Sequence, residues 1–512
     1  MISLSGPLLA KFDPSSPIAL DLNSVLQKLA RKDPSLWGDA AQAEASIRLD
    51  WIDLPNSSQS LTETIAELRA WFKENGLKQI VLCGMGGSSL APEVFGNTYG
   101  KDITILDSTD PEQIIQVTPK TLTQTLFIIG SKSGSTIETA SQKLYFEQKL
   151  RDENLEPTKH ILIITDPNSP LDQSARRDGY RVVNANPNVG GRFSALSAFG
   201  LIPAALLGID IETGLRDSSI LSKELIKENS VAVICATLLI EQAKQCIAFA
   251  DQGSNVSGLS DWIEQLIAES TGKDGKGRIP VVLENSGADI SGDIPLVTFT
   301  EGVGDLSVIG TLFEHFIFWE WVTALMGRAL GVDPFNQPNV TEAKERTGKL
   351  LENWPPNLEK PSFENDDLQI FSKSQYQSIE GALVDFLAPA SAYIAIMAYL
   401  NRESDGTALQ LREILAAKTG SPITFGWGPR FLHSTGQFHK GGPLNGKFIQ
   451  ITGENSSDLN IPTRTFTFHD LLMAQALGDG QALSSRDLPL VRIHLKNRSA
   501  GLAQLIQALR KI

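Results

Sequence analysis

The strongest constraint on the fold is a regular alternation of short apolar segments with helix-length segments between residues 76 and 215. The apolar segments are residues 79–83, 103–106, 126–129, 161–164 and 181–183. Such alternation is typical of parallel β-strands joined by crossover helices. The pattern therefore predicts an α/β domain over residues 76–215.

The segments before and after this domain are predicted to be helical. Residues 1–75 are predicted to form an N-terminal helical segment, and residues 216–275 are predicted to be connecting helices. One of these connecting helices is expected to run across residues 219–251, because its apolar residues continue almost without a break.

A second α/β set is predicted for residues 276–512. It begins with an apolar segment at Pro280 and resumes at residues 423–427, 447–451 and 490–494. An amphipathic helix near the C-terminus is expected to complete it. The sequence thus predicts an α/β fold with two tandem parallel-sheet sandwich domains behind a helical N-terminal segment.

Composition narrows the classes of function. The chain has 512 residues and a net charge of −14, so nucleic acid and anionic membranes are not expected as partners, since such a surface repels polyanions. Cys83, Cys235 and Cys246 are too few and too scattered for a disulfide framework. No secretory leader or membrane-spanning run is evident. We therefore expect a globular enzyme of the cytoplasm.

An amide and a carboxylate lie four residues apart in the segment QLIAESTGKDGKG, residues 265–277. If residues 265–270 are helical, Gln265 and Glu269 share one face. Glycines that follow would end the helix, so Glu269 would lie beside a loop, where substrates are commonly bound. Glu269 is a candidate general base; a solvated helix face with the same spacing is the alternative.

A glycine-rich turn with two serines follows the first predicted strand, in the segment GMGGSSLAPEV at residues 84–94. Such a turn lets backbone N–H groups approach an anion, and Ser88 or Ser89 would add a hydroxyl at the helix start. The spacing matches neither the Walker lysine motif nor the dinucleotide fingerprint. A tight structural turn without a ligand is the alternative.

A second hydroxyl-rich loop, GSKSGSTIET at residues 130–139, follows the third predicted strand. Ser135 and Glu138 have the spacing of a helix capping box. Because neighbouring parallel strands end at the same edge of a sheet, both loops should border one crevice. Hydroxyls and amides without metal-holding carboxylates favour binding a phosphate over transferring it.

Three further polar side chains are candidates. Arg192 lies in a glycine-flanked turn with apolar neighbours, so its guanidinium is expected to be partly buried and to need an anionic partner. Gln337 precedes Pro338, a residue favoured at the first helical turn, and Lys344 lies about two turns into that helix. A solvated lysine on an exposed helix is the alternative for Lys344.

In this order the segments resemble the glucose-6-phosphate isomerase family, which is built from two sugar-isomerase (SIS) α/β domains. The segments GMGGSSLAPEV, GSKSGSTIET, VGGRFSALSAFG, QLIAESTGKDGKG and FNQPNVTEAK carry the resemblance over roughly residues 76–350. The resemblance implies that the substrate is contacted by Gly87, Ser88, Ser131, Lys132, Ser133, Thr136, Glu138, Gln265 and Gln337. It also implies that Glu269 is the base, that Arg192 stabilises an enediolate and that Lys344 acts near the ring oxygen.

The chain departs from the family in the position of one histidine segment. Many bacterial members carry a ring-opening histidine in a segment similar to LHSMGQ, about twenty residues beyond the glutamate, whereas residues 270–313 contain no histidine here. A similar segment, LHSTGQFHKGG, begins at Leu432 and holds His433 and His439. This order is most like the isomerase half of transaldolase and glucose-6-phosphate isomerase fusions. The resemblance implies a ring-opening role for His433, with His439 as the alternative, within one chain or across a dimer.

The family's reaction interconverts glucose 6-phosphate and fructose 6-phosphate through a cis-enediol(ate), a step of glycolysis and gluconeogenesis, and needs no cofactor or metal. His433 with Lys344 would open the ring, and Glu269 would carry a proton between C2 and C1. Two alternatives stay open at this point: an isomerase of another phosphosugar such as mannose 6-phosphate, and a non-catalytic SIS-domain phosphosugar sensor. Family members are usually dimers, so the resemblance leaves a homodimer open.

Overall fold

The computed structural model describes residues 1–356 and 359–512. Its N-terminal part is mostly helical but begins with a short strand. The elements are β1 (Ser3–Ser5), α1 (Pro17–Ala30), α2 (Asp39–Ala45), α3 (Leu54–Ser57) and α4 (Thr62–Glu74). Helix α1 begins where the Ser16 side chain accepts a hydrogen bond from the Ala19 N–H, with a proline at the first helical position.

The next segment forms a sheet of five parallel strands with the spatial order β3-β2-β4-β5-β6. Its elements are β2 (Gln79–Gly84), α5 (Leu90–Tyr99), β3 (Thr104–Leu106), α6 (Pro111–Val117), β4 (Thr125–Gly130), α7 (Ile137–Asp152), β5 (Ile161–Thr165), α8 (Pro170–Arg177) and β6 (Arg181–Asn184). Strands β2 and β4 are neighbours, with Gly84 paired to Gly130. The two predicted phosphate loops therefore leave the sheet side by side.

The middle of the chain packs long helices around a second, smaller sheet. Its elements are α9 (Ala198–Leu206), α10 (Ile211–Leu225), α11 (Val231–Gln242), β7 (Cys246–Ala250), α12 (Leu259–Thr271), β8 (Ile279–Val282), β9 (Leu296–Thr298), β10 (Leu306–Ile309), α13 (Leu312–Leu330) and α14 (Pro338–Glu352). The order of this sheet is β1-β10-β9-β7-β8, and only β1 runs antiparallel to its neighbour.

The single helix predicted across residues 219–251 is wrong. The structure divides this region into α10, α11 and the strand β7, which pairs with β8 and β9. All five residues of β7 are buried. An apolar run buried on every side has no periodicity that separates a strand from a helix, so the sequence pattern could not show the change.

The C-terminal part forms a mixed sheet of six strands in the order β11-β12-β16-β15-β13-β14. Its elements are β11 (Phe363–Glu364), β12 (Leu368–Phe371), α15 (Ile379–Leu387), β13 (Tyr393–Tyr399), α16 (Gln410–Thr419), β14 (Ile423–Trp427), α17 (Thr435–Gly441), β15 (Gly446–Gly453), α18 (Phe468–Ser484), β16 (Leu490–Leu495) and α19 (Arg498–Lys511). Strands β13 to β16 are parallel, while β11 and β12 form an antiparallel edge. The predicted α/β class with mainly parallel sheets is confirmed, and the structure adds the third sheet.

Helix α13 is the apolar centre of the molecule. A capping box formed by Thr311 and Glu314 begins it, and the residues from Leu312 to Gly327 are all buried. It packs in one core with the N-terminal helices and α9 to α12. Among the described residues, no helix combines the length and the apolar character needed to cross a membrane.

A carboxylic acid lies inside this core. Glu320 is completely buried, and neither of its carboxylate oxygens has a hydrogen-bond partner among the described residues. Burial raises the pKa of Glu320 well above its usual range. The Glu320 carboxyl is therefore neutral in the folded protein at pH values at which the same carboxyl is ionised in the unfolded chain.

We predict that Glu320→Gln stabilises the protein more strongly as the pH rises. Because the folded-state pKa is raised, ionisation favours the unfolded state above the unfolded pKa, and the amide removes this penalty. The gain in unfolding free energy should grow by about 1.4 kcal/mol per pH unit above pH ~4.5, until the raised pKa is passed. Urea unfolding at pH 5, 6, 7 and 8 measures it. Glu345→Gln, at an exposed position of α14, is the control; a pH-independent gain for Glu320→Gln would contradict the prediction.

Candidate active site

Five parts of the chain surround one cavity of about 490 Å³. They are the loop after β2, the loop after β4, the turn that holds Arg192, helix α12 and the start of α14. The turn that ends at His433 closes one side of the cavity. All of the predicted site residues except Ser131 and Glu138 line this cavity. Those lining it are Gly87, Ser88, Lys132, Ser133, Thr136, Arg192, Gln265, Glu269, Gln337, Lys344 and His433.

The loop after β2 lies directly against two other walls of the cavity. A Cβ atom at Gly87 would lie 2.0 Å from the carbonyl oxygen of Gly191. Gly86 has φ +53°, and a Cβ atom there would lie 2.9 Å from the carbonyl oxygen of His433. These two positions need glycine because of close backbone approach and, at Gly86, because of a left-handed conformation. The loop therefore sets the spacing between Ser88, the Arg192 turn and the His433 turn.

The loop after β4 ends at an uncapped helix N-terminus. The capping box expected from Ser135 and Glu138 is wrong, since α7 begins after Thr136 and has no side-chain cap. The first N–H groups of α7 are thus free to bind an anion beside Lys132 and Ser133. The Glu138 carboxylate points instead toward the C-terminal part of the chain, where a histidine approaches it.

Lys132 and Asp166 form an ion pair at the cavity wall, and Lys132 also donates to the carbonyl oxygen of Pro187. Burial lowers the pKa of Lys132 and raises the pKa of Asp166, and the attraction between them offsets these shifts only in part. Ser131, near the start of this loop, is buried, and its Oγ donates to Thr136 Oγ1 at 3.2 Å.

Glu269 and Arg192 form a buried ion pair at the base of the cavity, with 3.1 Å between Arg192 Nη1 and Glu269 Oε1. Gln265 Nε2 donates to the other carboxylate oxygen at 3.0 Å, as expected for residues four apart on α12. Gln265 Oε1 is buried and has no hydrogen-bond partner among the described residues. This oxygen is available to accept a hydrogen bond from a ligand hydroxyl.

Arg192 is fully enclosed by acceptors from distant parts of the chain. It donates to Ser270 Oγ at 2.8 Å, to Gln337 Oε1 at 3.0 Å and to the carbonyl oxygens of Pro334 and Asn336 at 2.6 and 3.0 Å. Burial lowers the pKa of Arg192, and the neighbouring Glu269 acts in the opposite direction. The guanidinium is thus held rigidly, with one edge at the cavity.

His433 reaches the cavity within its own chain. It ends a single 3₁₀ turn, Arg430–His433, and its Nε2 lies 2.9 Å from Glu138 Oε1, which also accepts from Gln475 Nε2 at 2.7 Å. Burial raises the pKa of Glu138, but His433 and Lys344 outweigh it, and the net pKa lies below the ordinary value. Glu138 therefore stays ionised and orients the imidazole.

His439 does not reach the cavity. It is buried on α17 among Tyr393, Phe431 and Phe448, and neither ring nitrogen has a partner among the described residues. Burial lowers its pKa well below the usual range, and the nearby Lys440 lowers it further. Of the two histidines left open by the sequence, only His433 is positioned to meet a ligand in this cavity.

Three charged residues of the cavity, Glu44, Arg48 and Asp166, were not predicted from the sequence. Glu44 and Arg48 come from α2 and the residues after it, joined by an ion pair of 2.7 Å, and Arg48 also donates to the carbonyl oxygen of Pro187. Nothing in their local sequence links them to the site. Asp166 could have been found, because it directly follows β5 at the same sheet edge as the two phosphate loops.

Part of the chain is similar in sequence to known proteins. The phosphoglucose isomerase family matches residues 56–275. A glucose-6-phosphate isomerase of Thermus thermophilus is 33% identical over 274 residues, which cover 51% of this chain and 64% of that protein. One of Carboxydothermus hydrogenoformans is 30% identical over 239 residues, covering 41% of this chain and 51% of that protein.

The chain spans about half to two thirds of the length of the curated relatives it matches. Among solved structures, a glucose-6-phosphate isomerase from Chlamydia trachomatis has a TM-score of 0.52 and 16% identity, covering 69% of this chain and 89% of that chain. This likeness concerns the fold alone. The family match includes both phosphate loops, Arg192 and Glu269, but not Lys344 or His433.

We predict that Gly87→Ala disrupts the cavity. The new methyl group would overlap the Gly191 carbonyl, and relieving such overpacking costs about 1–3 kcal/mol of stability. It should also weaken the binding of inorganic phosphate about tenfold or more, which corresponds to about 1.4 kcal/mol. Urea unfolding and titration calorimetry measure the two effects.

Gly348→Ala is the matched control for this variant. Nothing lies within 4 Å of a Cβ atom at Gly348 on α14, so alanine should leave phosphate binding unchanged and raise helix stability by up to about 1 kcal/mol. Normal phosphate binding by Gly87→Ala would show that the close approach of the two loops does not shape the site.

Proposed function

Because residues 56–275 match the phosphoglucose isomerase family, we propose that this chain is an aldose–ketose isomerase that interconverts glucose 6-phosphate and fructose 6-phosphate. The observation that carries the proposal is the convergence of a buried carboxylate, Glu269, with Arg192 and His433 on a cavity bordered by the two glycine- and hydroxyl-rich loops after β2 and β4.

The phosphate is held at the end of the cavity formed by the two loops. Ser88, Ser133 and Thr136 would supply hydroxyls, α7 would supply backbone N–H groups, and Lys132 would supply a charge. Binding energy from this remote group would fix C1 and C2 near the base of the cavity. Support comes from the side-by-side exit of both loops from β2 and β4.

Ring opening is the first chemical step. It requires an acid at the ring oxygen and a base at the anomeric hydroxyl, and we assign these roles to His433 and Lys344 together. The orientation of the imidazole by the ionised Glu138 supports this assignment, because a fixed ring nitrogen can then meet the sugar. Lys344 lines the same cavity.

Proton transfer between the two carbons follows. Glu269 would remove the proton from C2 and return it to C1, and one carboxylate suffices because the carbons are adjacent. Arg192 would stabilise the negative charge that develops on the enediolate oxygens. Its rigid position, with donors to four protein oxygens besides Glu269, supports this role, since a preorganised cation pays no reorganisation cost during the reaction.

The substrate class and the cellular setting belong to the same proposal. A small phosphosugar fits the cavity, whereas the loops themselves do not distinguish glucose 6-phosphate from mannose 6-phosphate. Turnover of each sugar phosphate by the purified protein separates these two substrates. A cytoplasmic location is supported by three buried free thiols, Cys83, Cys235 and Cys246, which suit a reducing compartment.

We predict that Glu269→Gln removes isomerisation and leaves ligand binding largely intact. The amide keeps the size of the side chain but cannot accept the C2 proton, so kcat should fall about 1,000-fold or more. A coupled assay of fructose 6-phosphate formation measures turnover, and calorimetry with glucitol 6-phosphate measures binding.

Glu264→Gln on the same helix is the control for Glu269→Gln. Burial raises the pKa of Glu264 well above its usual range, so glutamine mimics its neutral form and activity should be unchanged. An active Glu269→Gln enzyme would rule out Glu269 as the base.

We also predict that His433→Ala slows turnover of the cyclic sugar by about 100-fold or more while affecting an open-chain substrate much less. The test substrate is 4,5-dideoxyglucose 6-phosphate, which lacks both hydroxyls that close the ring. His469→Ala, at a histidine outside the cavity that is bound to Asn455, serves as the control and should change neither rate. Equal losses on both substrates would argue against ring opening by His433.

A further inference from the structure

The 3₁₀ turn Arg430–His433 has His433 at one end. At its other end, a cluster of four charged side chains joins it to the first sheet. Arg430 begins this turn, three residues before the histidine. Its Nη2 lies 2.7 Å from Glu93 Oε2, and its Nη1 lies 3.3 Å from Asp107 Oδ2. Arg402 pairs with the same two carboxylates, at 3.0 Å from Glu93 and 3.8 Å from Asp107.

This cluster joins elements that are remote in sequence. Glu93 lies on α5, directly after the first phosphate loop, and Asp107 directly follows β3. Arg402 and Arg430 come from the loops after β13 and β14 of the C-terminal sheet. In this cluster the C-terminal sheet contacts the first sheet through two arginines, and one of them, Arg430, is in the same 3₁₀ turn as His433.

The charges of the cluster are well matched in this interior position. Asp107 is 2% exposed and Arg430 is 14% exposed, so each carboxylate needs a cationic partner to offset its lost hydration. Burial lowers the pKa of Arg430, but Glu93 and Asp107 outweigh it and the net pKa is raised. Removing the Arg430 charge would leave the buried Asp107 and the half-buried Glu93 with Arg402 as their one cationic partner in the cluster.

The geometry points to Arg430 as a positioning residue that holds the His433 turn in the cavity. This inference rests on the proposed function and deepens it, because it explains how a histidine contributed from far downstream is placed for ring opening. Residues three apart in a 3₁₀ turn lie on the same side, and this turn has only four residues, so movement at Arg430 is passed directly to His433. Gln265 Nε2, which donates to the His433 carbonyl oxygen at 2.8 Å, holds the other end.

The test compares Arg430→Gln and Arg430→Lys with the unchanged full chain. Arg430→Gln should lower kcat for glucose 6-phosphate about 10- to 100-fold, the range expected when a catalytic group is displaced by about 1 Å. The KM should change little, because the phosphate loops are untouched. Turnover of 4,5-dideoxyglucose 6-phosphate should stay within about threefold of the unchanged chain, since it needs no ring opening. Arg430→Lys keeps the charge and should recover part of the loss.

Arg498→Gln is the matched control. Arg498 joins the same two sheets through buried pairs with Asp110 at 2.7 Å and Asp405 at 3.1 Å, but it is not part of the His433 turn. Its loss should lower the unfolding temperature without changing the ratio of the two turnover rates. Equal losses on both substrates for Arg430→Gln, or the same change of ratio in Arg498→Gln, would overturn the inference. Should Arg430→Gln fail to fold, Asp107→Asn replaces it, with the same shift of ratio expected.

The chemical reactivity of His433 can be measured without turnover, so it tests this inference separately from the proposed function. Carbethoxylation of His433 by diethyl pyrocarbonate, followed by peptide mass spectrometry, should be several-fold faster in Arg430→Gln because the turn is released, with His469 as the internal reference. If the unchanged chain isomerises no sugar phosphate, the proposed function fails. The reactivity of His433 still tests whether Arg430 holds the His433 turn in place. Unchanged His433 reactivity in Arg430→Gln would overturn the inference whatever the activity.

Discussion

The buried guanidinium of Arg192 is the point on which the cavity is assembled. On α12 it donates to Ser270 Oγ and pairs with Glu269. In the segment before α14, more than 60 residues further along the chain, it donates to the Pro334 carbonyl oxygen and to Gln337 Oε1. A buried cation left without partners would be very costly, so these segments must converge for the fold to be stable. The same requirement brings the Glu269 carboxylate and the amide of Gln337 to one place. The close approach of Gly87 to Gly191 adds the loop after β2.

The C-terminal sheet completes the cavity by meeting the first sheet at its carboxyl edge. Asp107 and Asp110 follow β3, while Arg402, Arg430 and Arg498 follow strands of the C-terminal sheet. Pairs of this kind add little net stability, because the desolvation cost approaches the Coulomb gain. Their contribution is to fix the relative position of two sheets. In this arrangement one chain supplies both His433 and Glu269, although the two residues are far apart in sequence.

Much of the fold and of the cavity could be predicted from the sequence, and the failures have clear causes. The parallel strands and the positions of the glycine- and hydroxyl-rich loops after β2 and β4 were predictable because strand–helix alternation and glycine–hydroxyl turns are local signals. Strand β7 was missed because a fully buried apolar run has no periodicity. Glu44 and Arg48 were missed because their place in the cavity depends on tertiary packing alone. The Glu138 side chain was assigned to a local cap, but a distant histidine offers it a charged partner that the local sequence does not reveal.

The ion pair between Arg192 and Glu269 bears on the electrostatics of the proposed reaction. In the described state the Arg192 charge is balanced by the Glu269 carboxylate at 3.1 Å. When Glu269 takes a proton from C2, it becomes neutral as negative charge appears on the enediolate, so the charge moves from one side of the guanidinium to the other. The net charge of the pocket stays constant through this step. A buried site of low dielectric can tolerate such a transfer, because no unpaired charge is ever created within it.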